Sequence, residues 1–309
     1  ASTSKAGRDI STFKGLIDEY IELYAKPKKT SWHEDLRVLN KDVLPKWKYL
    51  KADEITNRDV AKLLSQITVL GSNVATKRTL NILHSLFNFA VTRGILKSSP
   101  CVDIAEPDDR LAKDRVLKED EIRKIWFGLE KAKMSEGTRL ALKLLLVTGQ
   151  RNGEVAGAKW KEFDLIDKWW TIAGERTKNK KKHRVFLTNM AVDILREAKK
   201  LSVSSKNSKK WNWVFPTSKE GHITSRSISA AIRNNSERIP KGHPKYKPPY
   251  GDFFNIGHFV PQDMRRTVAN LMKELKVDEL HIVKVQNYTT SGKPQKSIHI
   301  FDAEKRQAL

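Results

Sequence analysis

Cysteine is almost absent: Cys101 is alone in a chain of 309 residues. A single thiol excludes an internal disulfide and any cysteine-ligated zinc finger. Long hydrophobic runs are missing too. No stretch approaches the roughly 18 consecutive apolar residues that a spanning helix needs, so no membrane partner is expected. The opening "ASTSKAGRDIST" is polar and lacks the apolar core of a secretory leader. Residues 1–10 are therefore expected to be disordered or a cloning remnant. Negative charge is scarce, with 36 acidic side chains against 59 lysines and arginines, a formal net charge of +23 and a pI near 9.9. So large a surplus points to a polyanionic partner, and nucleic acid in the cytoplasm is the expectation. The eight histidines show no metal-ligand spacing, and no carboxylates cluster, so neither a metal nor a cofactor is expected.

The length allows two domains with real cores. Residues 11–97 read as a small helical domain. "SWHE" at 31–34 and "TNRD" at 56–59 fit the reciprocal capping pattern that opens a helix. Leu80, Leu83, Phe87 and Val91 make a stripe at helical spacing through 74–93, with Gly94 as its stop. Lys77, Asn81, Ser85 and Asn88 share another face of that helix, with Arg78 beside them. That polar row is either a solvated surface or a face that lies in a DNA major groove. Residues 98–112, with two prolines and little periodicity, read as a linker, and 113–309 as a second domain. Within it, 117–132, 136–149, 189–200, 224–238, 262–275 and 278–288 read as helices. Residues 168–188 read as a β-hairpin whose tip carries Lys178, Lys180, Lys181, Lys182 and Arg184. Most tryptophans are expected in the core, and Cys101 is expected to be inert.

Three places carry candidate chemistry. In "LVTGQRNGEVAGAKW" a buried helix runs into Arg151, and Glu154 three residues on can face its guanidinium. The pair is either an ordinary helical ion pair or an aimed phosphate ligand, since the guanidinium fork suits phosphate oxygens. "VPQDMRRTVANLMKELKV" places Arg265 and Arg266 near a helix start, as solvated charges or again as phosphate ligands. Two arginines and a hairpin lysine meeting at one point would neutralise a pentavalent phosphorane and protonate its leaving alkoxide.

Arg151 in "TGQRNGEV", Lys178 in "ERTKNKKKHRVFLT", then "FPTSKEGHIT" and "QDMRRT" resemble, in order and spacing, the tyrosine recombinases, in particular the integrases of genomic islands and temperate phages. The resemblance spans nearly the whole chain. It implies a mainly α fold with a small β-sheet or hairpin in the C-terminal domain, and two domains forming a C-shaped clamp on double-stranded DNA. It implies cleavage through a 3′-phosphotyrosine, a Holliday junction and a homo-oligomer, dimer to tetramer, without metal or ATP. Carried onto this sequence, Arg151 and Arg265 would bind the phosphate, Lys178 would be the general acid and Glu154 would support Arg151. Lys180, Lys181, Lys182, Arg184 and Arg266, like Lys77, Arg78 and Asn81, would contact DNA.

Three positions depart from the family pattern. Gln262 stands where it usually has histidine; an amide donates a hydrogen bond but shuttles no proton at neutral pH. Tyr288, in "VQNYTTSG", replaces a second histidine, and a phenol still donates. Phe301 occupies the position of the nucleophilic tyrosine. A benzyl ring has no oxygen to bond to phosphorus, so this chain is expected to bind DNA without cleaving it. The alternative is a non-catalytic DNA-binding protein, regulatory or architectural, on the same fold.

Overall fold

The computed structural model describes residues 12–29, 31–70, 73–105, 115–204, 212–217, 221–236 and 250–288. Phe301, residues 1–10 and 106–112, and Trp211 lie outside the described residues. The chain divides into two compact units, Ala1–Ala112 and Lys113–Leu309.

The first unit is helical. Helix α1 (Phe13–Tyr20), capped by the Thr12 hydroxyl accepting from the Gly15 amide, runs through a widened π-type turn, Ile21–Ala25, into the short α2 (Lys26–Lys28). After α3 (Trp32–Val38) the same device recurs at Leu39–Val43 before α4 (Leu44–Trp47). Each widening precedes a proline, Pro27 or Pro45, whose ring removes an N–H and crowds the carbonyl four residues back. Two longer helices follow, α5 (Asn57–Leu70) and α6 (Asn73–Thr92). Leu80, Leu83 and Phe87 are fully buried as their spacing predicts, and Gly94 ends the run at φ +71°.

Two local readings fare differently. Thr56 and Asp59 form the reciprocal cap expected of "TNRD", each side chain bonded to the other's backbone amide. The "SWHE" cap does not form: Ser31 makes no cap bond, and the Glu34 carboxylate turns instead to Arg37 and Arg78. A charged acceptor finds two guanidinium donors more favourable than one backbone N–H. The described part of the expected linker packs onto this unit. Cys101 is fully buried in its core, and the Val102 carbonyl accepts from Asn57 at 2.7 Å.

The second unit is built around α8 (Glu136–Thr148), which is apolar on nearly every side and therefore buried on nearly every side. Its one awkward residue, Lys143, pairs with Glu130 and lies 5.2 Å from the Trp126 ring centroid. Helix α7 (Glu119–Lys131) precedes it, and the short α9 (Asn152–Ala156) follows. A three-stranded antiparallel sheet comes next, in the order β1 (Phe163–Asp164), β2 (Trp169–Ile172), β3 (His183–Phe186). The β2–β3 pair is the expected hairpin, in register Trp170↔Val185 and Ile172↔His183. The third strand, β1, is too short to show a sequence period. Trp169 and Trp170 are buried, as expected of core residues. Then come α10 (Asn189–Ser204), α11 (Ser225–Asn234), α12 (Pro261–Glu274) and α13 (Glu279–Val285). The fold is mainly α with one small sheet in the C-terminal unit.

Candidate functional site

Helix α8 ends at Gly149, whose φ of +61° turns the chain sharply and leaves its carbonyl outside the helical ladder. A Cβ at that position would meet Val268 Cγ1 at 2.9 Å. The Gly149 carbonyl accepts from Arg265 Nη1 at 2.8 Å, and the Gln286 carbonyl accepts from Nη2. Both acceptors are C-caps, of α8 and α13. The buried cation thus sits where two helix dipoles present their negative ends. Arg265 is 1 % exposed. Burial lowers its affinity for the proton, and the nearby charge of Arg151 lowers it further, while a hydrogen bond with the Tyr288 hydroxyl opposes both.

Arg151 is the cap residue of α9. Glu154 accepts from its backbone amide at 3.1 Å and from Nη1 at 3.2 Å. Asn287 accepts through its carbonyl from Nη2 at 3.0 Å. The Glu154 side chain is almost fully buried, so the pair is no loose surface contact. The guanidinium carbons of Arg151 and Arg265 lie 5.8 Å and 5.0 Å from the centroid of the half-exposed Tyr288 ring. Arg151, Glu154, Arg265 and Tyr288 therefore form one cluster.

Lys178 lies exposed in the turn between β2 and β3, and its neighbour ties that turn to the cluster. Asn179 Nδ2 donates to Asn287 Oδ1 at 2.7 Å. Two residues before Lys178, Arg176 donates to the Glu154 carbonyl at 2.5 Å and pairs with Glu162, which also accepts from Trp170 Nε1. Asn179, Asn287, Gln286 and Arg176 all escaped the sequence reading.

The remaining candidates lie on α12, on the hairpin and in the first unit. Gln262 is exposed in the first turn of α12. Arg266 pairs with Asp263, which also caps α12 by accepting from the Val260 amide. Lys180, Lys181 and Lys182 are exposed at the hairpin tip. Arg184 belongs to β3, with its guanidinium 4.1 Å from the Trp169 ring centroid, so it covers the sheet rather than the tip. In the first unit, Lys77, Arg78 and Asn81 line an open groove of about 480 Å³ with Lys29, Ser31 and Ser85. Arg78 is held there by Glu34 at 3.0 Å. Among the described residues, no group of three or more His, Cys, Asp or Glu side chains gathers in metal-binding geometry, and no helix is long and apolar enough to cross a membrane.

A guanidinium pair thus lies beside a lysine-bearing hairpin on a mainly helical fold, and the family models say which class of protein carries it: the tyrosine recombinases. Residues 115–293 match the phage integrase family and residues 13–107 match the phage integrase central domain; the chain belongs to the phage integrase family. It is 25% identical to the prophage integrase IntA of Escherichia coli (strain K12) over 215 residues, 67% of this chain and 51% of that protein. The chain spans about half the length of the curated relatives it matches. Its fold is similar to that of a lambda integrase fragment (residues 75–356) solved as a dimer bound to a COC′ core site. The TM-score is 0.67 at 17% identity, covering 95% of each chain. A tyrosine-to-phenylalanine variant of the Tn1549 transposon integrase, in complex with transposon right end DNA, has a similar fold. Its TM-score is 0.67 at 14% identity, covering 94% of this chain and 98% of that one.

Proposed function

We propose that this chain is the core-binding and catalytic portion of a site-specific DNA recombinase, and that Phe301 makes it competent to bind DNA but not to cleave it. The two units would close on double-stranded DNA, and copies would assemble on a recombination site. Arg151 and Arg265 would hold the non-bridging oxygens of the scissile phosphate. With a tyrosine at 301, its hydroxyl would release its proton to solvent and its oxygen would bond to phosphorus as the bond to the 5′ oxygen breaks. Lys178 would give that oxygen its proton, leaving a 3′-phosphotyrosine and a free 5′-hydroxyl. A Holliday junction would follow from exchange of the freed strands. Lys180, Lys181, Lys182 and Arg266, with Lys77, Arg78 and Asn81, would contact the duplex, and Gln262 and Tyr288 would donate hydrogen bonds to phosphate.

The observation that carries this reading is the Arg151–Arg265–Tyr288 cluster with the Lys178 turn tied to it. A protein that only binds DNA gains nothing from focusing separate cations on one point. The exposed amide of Gln262 and the missing oxygen at 301 favour the second reading, a non-catalytic DNA-binding protein on the same fold. The variant Phe301→Tyr separates the two. Incubated at saturation with a nicked suicide substrate, it is expected to form a covalent protein–DNA adduct on a denaturing gel. No adduct would reject the recombinase reading.

A further inference from the structure

We infer that Asn179 and Asn287 form a clasp that positions the Lys178 ammonium for proton donation, which deepens the function proposed above and rests on it. Lysine carries its charge on a flexible four-carbon stem. Its reach to a leaving oxygen is set by where its backbone sits, and that backbone is an exposed turn. The turn is internally braced: the Thr177 hydroxyl shares its one hydrogen between the Gly174 and Lys181 carbonyls, and the Lys181 amide donates to Asn179 Oδ1 at 3.2 Å. A braced turn still moves as a unit unless something outside holds it.

Two side chains hold it, one on each side of Lys178. Arg176 anchors the base of the turn through the buried carboxylate of Glu162 and the Glu154 carbonyl. Asn179 anchors the tip through Asn287, by 2.7 Å from its Nδ2 to Asn287 Oδ1. These anchors differ in kind. The first is an ion pair between largely buried groups. The second joins two neutral, half-buried amides, so it is the one that can open.

Asn287 is where the two halves of the cluster meet. Its side chain holds the lysine turn while its carbonyl holds Arg151 Nη2 at 3.0 Å. Its φ is +49°, a conformation that asparagine and glycine tolerate and other residues resist. Asn287→Gly therefore removes the amide and leaves the backbone that holds Arg151 free to keep its path.

The first arm of the test uses the chain as it stands. Amide hydrogen exchange across residues 178–182 is expected to quicken at least about threefold in Asn287→Gly and Asn179→Ala, with α8 unchanged. Unchanged exchange in the turn would overturn the clasp. The second arm adds either substitution to Phe301→Tyr and compares two suicide substrates. One has the natural 5′ oxygen, and the other has sulfur in its place, which leaves as a thiolate without needing a proton. On oxygen, cleavage is expected to fall about tenfold or more. On sulfur it should match the parent, and DNA affinity should not change. Equal loss on both substrates, or loss on neither, would overturn the inference. A Phe301→Tyr parent that forms no adduct would reject the recombinase reading itself, and the exchange arm would still decide whether the clasp holds the turn.

Discussion

The carbonyl of Gly149, at the end of the most buried helix of the C-terminal unit, accepts a hydrogen bond from the Arg265 guanidinium at 2.8 Å. A helix terminus and a candidate catalytic side chain are thus one structural element. Gly149→Ala tests this directly. Its φ of +61° disfavours any Cβ, and that Cβ would press on Val268 at 2.9 Å. The expected cost is about 1–3 kcal/mol, read as a fall of several degrees in the melting temperature of the C-terminal unit. An unchanged melting temperature would refute the account.

Arg151 and Arg265 are expected to respond differently to truncation. Arg265→Ala strands two buried carbonyls, at about 1–3 kcal/mol for each unsatisfied group. Arg151→Ala strands a charge instead, leaving the buried Glu154 carboxylate without its guanidinium, and should also lose stability. In the Phe301→Tyr background, both should lose far more adduct formation than DNA affinity, because contacts elsewhere supply most of the binding. Arg265→Lys should resemble the alanine variant in cleavage, since one ammonium cannot span both carbonyls and a phosphate. Parallel losses of affinity and cleavage would argue against a catalytic role for either arginine.

Lys77 lines the groove of the first unit and takes no part in the proposed chemistry. Lys77→Gln should weaken DNA binding and flatten its salt dependence. The slope of log affinity against log salt is expected to drop by about 0.9 for one lost phosphate contact. Filter binding or fluorescence anisotropy at several salt concentrations checks this, and an unaltered slope would show that Lys77 touches no phosphate.

Cys101 is fully buried in the core of the first unit. Burial pushes its thiol up to about 12, against a weaker opposing hydrogen bond from Ser99. Little thiolate exists in the folded chain at pH 8, so Ellman's reagent should react only as that unit unfolds. Stoichiometric labelling within minutes under native conditions would contradict the buried placement.

The long helices were legible because their apolar residues recur at helical spacing and because Gly94 and Gly149 punctuate them. Helix α8 declared itself by being apolar on nearly every side. Arg151, Glu154 and Arg265 stood out because their side chains carry charge in recognisable motifs. What holds them together left no such trace. Gln286 and Asn287 act through carbonyls that every residue possesses, and Asn287 reads locally as a turn former. Glu34 illustrates the opposite error, a helix-opening pattern overridden by Arg37 and Arg78, one of them distant in sequence. The basic run groups Arg184 with the hairpin tip, but in β3 it stands opposite Thr171, on the face of the Trp169 ring.

The groups that hold Arg265 in place are peptide oxygens, and a peptide oxygen survives any substitution of the residue that bears it. At position 286 the carbonyl would persist through a substitution, but the buried Gln286 amide, which donates to the Arg265 carbonyl at 2.9 Å, would not. Only a change in chain path, such as a bulky residue forced into the tight bend at 149, would remove the peptide oxygens. A cradle made of main chain also contributes no full negative charge, so among the described residues Glu154 is the one carboxylate paired with these two arginines, and the guanidiniums keep a surplus of positive charge for an incoming anion.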